Sequence, residues 1–269
     1  MLYSPAFKTI SGIFIALTIN IKGEIMKKIF LIAALTSAVF SVSAKDINFG
    51  LEATYAPYEF YDDNNTLVGF DIDIANKICE ELNYTCKFTN QSFDGLIPSI
   101  KTRRIDAAIS GLDMTPERRE QVDFTQSYYD NVAQFIGLKG NLESLDSISE
   151  LNKKHVGVQN GTTLQKYLID KYPEIDIVSY DSYQFAVLDL KAKRIDAILI
   201  DSAAATEWLN KEPSLVKIGK EVSDPDYIGA GLGIAVRKGN SALLDQFNQV
   251  LTKIKSDGTY DQIYAKWFK

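Results

Sequence analysis

The 269-residue chain carries 29 Lys and Arg against 35 Asp and Glu, with one His and two Cys, a length that allows one large domain or two smaller ones. Its acidity argues against a nucleic-acid partner and is compatible with a cationic ligand, although acidity also serves solubility alone. A lone His155 and the absence of any CxxC spacing or Gly-rich phosphate motif leave no basis for a metal site, a redox pair, a Ser–His–Asp or Cys–His catalytic set, or a cofactor.

The N-terminus reads as an export signal. Met26-Lys27-Lys28 opens a positive segment, Ile29–Phe40 is an apolar run, and Val42-Ser43-Ala44 supplies small residues for cleavage near Ala44. Residues 26–44 are therefore expected to be a signal peptide, and residues 1–25 an over-extended start with Met26 as the initiator. Ile10–Ile21 is apolar but short for a membrane span. No Cys stands at the cleavage site, so a soluble periplasmic protein is expected rather than a lipid-anchored one. The first 44 residues hold four Lys and one Glu, a net +3, which leaves −9 of the total −6 on residues 45–269. Cys79 and Cys86, alone in an oxidising compartment, read as a disulfide.

The body of the chain contains an echo. Leu96–Ile109 (LIPSIKTRRIDAAI) returns as Ala186–Leu199 (AVLDLKAKRIDAIL). Each copy reads as an amphipathic helix, a basic end that suits the negative pole of the helix dipole, a turn, and a buried apolar strand. A further strand precedes each copy, Ile47–Leu51 and His155–Val158, and a helix is expected from about Thr163. Asp123–Ile136 reads as a strand crossing between the two units, Leu232–Val236 as a returning strand, and Ser241–Phe268 as two helices around Asp257-Gly258. The expected architecture is α/β and two-lobed. Each lobe has a mostly parallel sheet flanked by helices, and a two-strand hinge joins them. Lobe 1 spans residues 45–132 and 229–269, and lobe 2 spans 133–228.

Ligands of open α/β sheets bind beyond the carboxyl ends of the strands. That rule selects Glu52–Tyr58, Ser110–Arg118, Gln159–Thr163 and the residues from Asp201. These loops hold an Arg that can grip a carboxylate with two parallel hydrogen bonds, carboxylates for an ammonium, and amides at a helix start that favour an anion. The set suits an α-amino acid. Each member also has a plain structural alternative. Taken alone, Arg118 also reads as a solvated helix residue, Asp201 and Asp113 as caps, Asn160-Gly161 as a tight turn, Asp181 as a helix cap, and Tyr55 and Phe93 as core aromatics. Trp208 and Trp267 read as packing.

At these residues the chain resembles the periplasmic polar-amino-acid-binding proteins of ABC importers. The resemblance runs through residues 45–269. It is carried by Thr54-Tyr55-Ala56-Pro57-Tyr58, Val68-Gly69-Phe70-Asp71-Ile72-Asp73, Phe93-Asp94-Gly95-Leu96, Asn160-Gly161-Thr162-Thr163 and Asp257-Gly258-Thr259-Tyr260. Ser110–Arg118, Val178–Gln184 and Gly231–Arg237 look most like the arginine-binding branch, near relatives of lysine/arginine/ornithine- and histidine-binding proteins.

The resemblance implies a type II periplasmic-binding-protein fold and a set of roles. Arg118 matches the carboxylate-binding Arg, helped by amides at Asp113 and Thr163. Asp201 matches the holder of the α-ammonium, beside the Gly111 carbonyl. Tyr55 and Phe93 match aromatics that sandwich the ligand's side chain, and Glu52 stands where an acid meets a distal cation. Ser110 and Gln159 complete the expected ligand set, and Cys79–Cys86 matches the family's disulfide. Asp113 departs from relatives that carry Ser there. The expected partners are a basic L-amino acid, arginine above lysine, ornithine or histidine, and a membrane permease with its cytoplasmic ATPase. The protein itself is expected to be a monomer. The rival readings are an enzyme on the same scaffold, such as a dehydratase of an amino-acid-like carboxylate, and a sensory ligand-binding domain.

Overall fold

The order of elements follows the echo. The computed structural model describes residues 45–142, 145–228 and 230–268; the expected start segment and signal peptide lie outside the described residues. The chain begins with β1 (Lys45–Leu51), a hairpin sheet of β2 (Thr54–Tyr55), β3 (Glu59–Tyr61) and β4 (Leu67–Val68), then α1 (Phe70–Leu82) and β5 (Tyr84–Asn90). There follow α2 (Leu96–Lys101), β6 (Ala107–Ala108), α3 (Pro116–Gln121) and β7 (Val122–Phe124). The second half holds β8 (Ala133–Leu138), β9 (His155–Gln159), α4 (Thr163–Lys171), β10 (Asp176–Tyr180), α5 (Tyr183–Lys191), β11 (Ala197–Asp201), α6 (Ser202–Lys211) and β12 (Leu215–Val222). The chain returns through β13 (Ala235–Arg237) and ends in α7 (Ser241–Ser256) and α8 (Thr259–Trp267).

Two five-stranded sheets share one plan, with orders β5-β1-β6-β13-β7 and β10-β9-β11-β8-β12. In each, the first three strands are parallel and the fourth is antiparallel. Parallel strands covered by crossover helices are buried on both faces, and every residue of β11 is buried accordingly. The architecture is two-lobed α/β.

The echo is reproduced bond for bond. Arg103 and Lys193, offset by 90 positions, both take the left-handed conformation, with φ 61° and 56°. The next amides, Arg104 and Arg194, reach back to the carbonyls of Ser99 and Asp189, each at 2.9 Å. This is the Schellman closure of a helix, made here without glycine. Asp106 and Asp196 then accept from the backbone amides of Asn48 and His155, each at 2.9 Å, and so align each new strand with the one before it. His155 stands at an exposed strand start.

The crossing differs from expectation. Asp123–Ile136 is two strands in two sheets, separated by residues 125–132. Val122–Phe124 pairs with β13, whereas β8 pairs with β11 and β12, and no straight strand can serve both. The returning strand likewise starts at Ala235 instead of Leu232. Leu232 is occupied in bridges to Asp113 and Tyr129. The two crossing segments hold each other: Tyr128 N donates to Leu232 O at 2.9 Å, and Leu232 N donates to Tyr129 O at 2.8 Å. The two crossing segments therefore meet in a short backbone bridge between Tyr129 and Leu232.

The C-terminal helices pack on the first sheet's side. Phe247 stacks on Phe49 at 5.7 Å, and Phe268 meets the Phe70 ring edge-on at 4.8 Å. Phe70, Ile74 and Ile78 form the fully buried face of α1, each worth roughly 1.5–3 kcal/mol. A Cys79–Cys86 disulfide ties α1 to β5. Trp267 packs edge-on against Phe60 at 5.9 Å.

Candidate functional site

The carboxyl ends of β1, β6, β9 and β11 converge between the two sheets. Eight of the ten expected ligand residues line one cavity there: Tyr55, Phe93, Gly111, Asp113, Arg118, Gln159, Thr163 and Asp201. Its volume is about 10 Å³, room for roughly one water, because its polar groups bond one another across it. A larger hollow of about 560 Å³ lies at Lys139, Lys191 and Lys193. Those lysines are solvent-exposed and converge on no buried polar group, so chemistry, not size, locates the site.

Arg118 belongs to the short α3. Thr115 caps this helix by accepting from the Arg118 amide, and Pro116 opens it, which suits proline's fixed φ. Glu117 and Arg119 face solvent while Arg118 is buried, so it is not a solvated helix residue. Its Nη1 donates to the Asp113 carbonyl at 3.0 Å and its Nη2 to the Gly161 carbonyl, on the other lobe, at 3.1 Å. The guanidinium lies 5.5 Å from the Phe93 ring centroid, within cation–π range. Burial pulls its pKa down, opposed by Asp113 and Asp201.

Asp201 ends β11 at the N-cap position of α6 but makes no capping bond. Its carboxylate instead accepts from the Tyr55 hydroxyl at 2.5 Å and from Asn131 Nδ2 at 2.8 Å. Asn131 Nδ2 also reaches Asp113 Oδ1 at 3.0 Å, and Thr163 Oγ1 donates to Asp113 Oδ2 at 2.8 Å. Burial, and then the neighbouring Asp113, push Asp201 up to about 7. Burial also raises Asp113, against the pull of Arg118, Asn131 and Thr163. These are two buried acids joined through Asn131, and burial disfavours the charge on both.

Glu52 and Ser110 do not line the cavity. The Ser110 hydroxyl accepts the Glu52 amide at 3.0 Å, and the Glu52 carboxylate takes the Thr54 hydroxyl at 2.6 Å and Gln159 Nε2 at 3.4 Å. Glu52 is nevertheless buried, and burial raises its pKa. Asp181 caps no helix: α5 starts from Ser182, and Asp181 instead accepts from Asn160 at 3.3 Å. Gly161, at φ +73°, brings its backbone so near the other lobe that a Cβ would stand 2.7 Å from the Asp94 Cβ. The Asn160-Gly161 turn is thus also a contact between lobes.

Beyond the expected set, Leu164 lines the cavity as well, and three polar or aromatic residues join it. Asn131 lies in the crossing segment, where no pattern marks it. Thr162 lines the cavity and caps α4 through Gln165 N. Tyr183 lines it too and stacks on Tyr55 at 5.5 Å. The echo held the signal for Tyr183: three residues upstream of its first position, the same offset of 90 pairs Phe93 with Tyr183.

Comparison with known proteins places the whole of this fold in a family. The family model "Bacterial extracellular solute-binding proteins, family 3" matches residues 47–269. ABC transporter arginine-binding protein 1 of Escherichia coli (strain K12) is 50% identical over 244 residues, covering 90% of this chain and 99% of that protein. A Salmonella typhimurium periplasmic binding protein described for high arginine specificity superposes with a TM-score of 0.80 at 48% identity, over 84% of this chain and 100% of that one. An ancestral arginine-binding protein bound to arginine gives 0.78 at 38% identity, over 83% and 98%.

Proposed function

The chain belongs to the bacterial extracellular solute-binding proteins, family 3, and on that premise we propose that it captures arginine between its two lobes and delivers it to the permease of an ABC importer. The observation that carries this reading is Arg118 facing the Asp113–Asn131–Asp201 cluster in one buried cleft. The guanidinium takes the ligand carboxylate, Asp201 with the Gly111 carbonyl takes the α-ammonium, and Asp113 supports both. Two or three buried acids against one Arg leave a negative balance, and a buried charge needs a partner. A ligand of net positive charge supplies it. Tyr55, Tyr183 and Phe93 offer ring faces to the side chain, and Glu52 with Gln159 stands at its distal end.

Binding proceeds without turnover, since the acids that an enzyme would use for proton transfer are engaged in holding charge. The protein works as a monomer in the periplasm after cleavage near Ala44, with residues 45–132 and 229–269 as one lobe and 133–228 as the other. A thermal-shift panel of the twenty amino acids plus ornithine tests the reading. Arginine should give the largest rise in Tm; a larger rise with a neutral amino acid would refute it.

A further inference from the structure

Behind the cavity, two carboxyl groups are enclosed in the core of the first lobe. Glu59 on β3 and Asp71 on α1 are each 0% exposed, and among the described residues neither has an ion pair with a cation. The Ser110 hydroxyl donates to Glu59 Oε1 at 2.5 Å. Asp71 Oδ2 accepts the Gly111 amide and the Tyr128 hydroxyl, each at 2.9 Å. Among the described residues no donor meets the two remaining oxygens, Glu59 Oε2 and Asp71 Oδ1, yet the two acids are neighbours: the Asp71 amide donates to the carbonyl of Tyr58, the residue before Glu59, at 2.9 Å, and each carboxyl influences the acidity of the other.

Two neighbouring carboxylates enclosed in one core cannot both stay ionised. One proton between them removes the repulsion and gives both leftover oxygens a partner. We infer that Glu59 and Asp71 share a single proton, Glu59 as the neutral donor and Asp71 as the anion, and that the pair positions the Ser110–Gly111 loop against the ligand.

Each acid holds one residue of that loop. Ser110 donates to Glu59 while accepting the Glu52 amide. Gly111 donates to Asp71 at a left-handed φ of +54°, with Tyr55 only 3.2 Å from where a Cβ would be. The other titratable groups facing the pair are Glu52 beyond β1, Tyr58 before β3 and Tyr128 in the crossing segment. All are acids or phenols, which disfavour a second negative charge. Burial, with Asp71 beside it, pushes Glu59 well above the carboxylate range, while burial raises Asp71 only to about 6 against the bonds it accepts from Gly111 and Tyr128. Glu59 and Asp71 act through the loop and are positioning residues.

This inference rests on the proposed site only for its effect on binding; the shared proton is tested without ligand. The mature parent protein, Glu59→Gln and Glu59→Leu are unfolded thermally at about pH 5 and about pH 8. The unfolded chain releases the Glu59 proton near 4.5 and the folded protein keeps it, so the parent loses stability as pH rises. Gln cannot titrate but still donates to Asp71. The Tm of Glu59→Gln relative to the parent should therefore climb by several degrees between the two pH values. A protonated-carboxyl infrared band should also be present in the parent at about pH 8 and absent from the Gln variant. Arginine titrations should show at least a tenfold loss in Glu59→Leu that Gln largely restores. A pH-independent Tm offset with no carboxyl band would overturn the shared proton, and a Gln variant binding as poorly as Leu would overturn the positioning role. If the parent ignores arginine, the function proposed above fails while the unfolding and infrared results still decide the proton.

Discussion

The Tyr55 hydroxyl donates to Asp201 at 2.5 Å, so the hairpin of one lobe is fastened to the strand-to-helix turn of the other. The bond also sets the acidity of the residue proposed to hold the ligand's ammonium. Asp201 stands at about 7, raised first by burial and then by Asp113, and lowered by Tyr55, Asn131 and Arg118. Without ligand, an acid raised in the folded state stabilises fully below its unfolded pKa near 3.8 and loses that contribution as pH rises through about 7. The ligand reverses the preference, because an ammonium favours the carboxylate.

Arginine affinity should therefore rise with pH up to about 7 and then level off, by about tenfold per pH unit on the acid side. Tyr55→Phe keeps the ring stack but removes the bond that holds Asp201 down, and so should move this limb to higher pH. Calorimetric titrations from about pH 5 to 8, in buffers of different ionisation enthalpy, should detect one proton released per arginine bound on the acid side. A flat profile in the parent would remove Asp201 from the ammonium site.

Arg118 should fail as Lys as well as Ala. Its two bonds diverge from one planar fork, to Asp113 O at 3.0 Å and Gly161 O at 3.1 Å, above the Phe93 ring. An ammonium reproduces neither the fork nor the stacking. Losing one partner of a buried, hydrogen-bonded charge pair costs about 2–5 kcal/mol. Arg118→Ala and Arg118→Lys should each weaken every α-amino acid by a hundredfold or more in equilibrium titrations. Binding retained in Arg118→Lys would mean that only charge matters at this position.

Gly161→Ala probes closure. Its Cβ would stand 2.7 Å from the Asp94 Cβ and 2.9 Å from the Asp94 Cα, at a φ of +73°. Ala carries a left-handed penalty of about 1–2 kcal/mol, and the lobes cannot approach as closely. Arginine should dissociate at least tenfold faster, and solution scattering should show less compaction at saturating ligand. Unchanged dissociation would place the closing contact elsewhere.

The lobes were legible in the sequence because Lys101–Ile109 and Lys191–Leu199 repeat a helix-end chemistry that local bonds dictate: left-handed Arg103 and Lys193, then Asp106 and Asp196 locking the next strand. Arg118 and Asp201 were legible because the strand-end rule picks their loops. Burial removes the solvated reading of Arg118 and the missing capping bond removes the cap reading of Asp201, and both are properties of the fold. Asn131 was illegible because the crossing segment follows neither a helical nor an alternating period. Its importance comes from bridging Asp113 and Asp201, which lie on different lobes.

Glu52 carries the specificity for arginine in this reading, and its position sharpens the test. It does not line the cavity, but it is buried, and it meets the second lobe through Gln159 Nε2 at 3.4 Å, long for a hydrogen bond. A guanidinium arriving between them would replace that weak contact with charge-assisted bonds, which are roughly twice as strong as neutral ones. It would also favour the ionised form of an acid that burial now raises. Glu52→Gln preserves shape and the bonds to Thr54 while removing the charge. It should weaken arginine by about tenfold or more and a neutral ligand such as glutamine by less than threefold, because only arginine brings a second cation to that end. Competition titrations of both ligands on one preparation measure the ratio directly. Equal losses would reduce Glu52 to a support for Ser110 and Gln159, and would leave arginine selectivity to the ring faces of Tyr55, Phe93 and Tyr183.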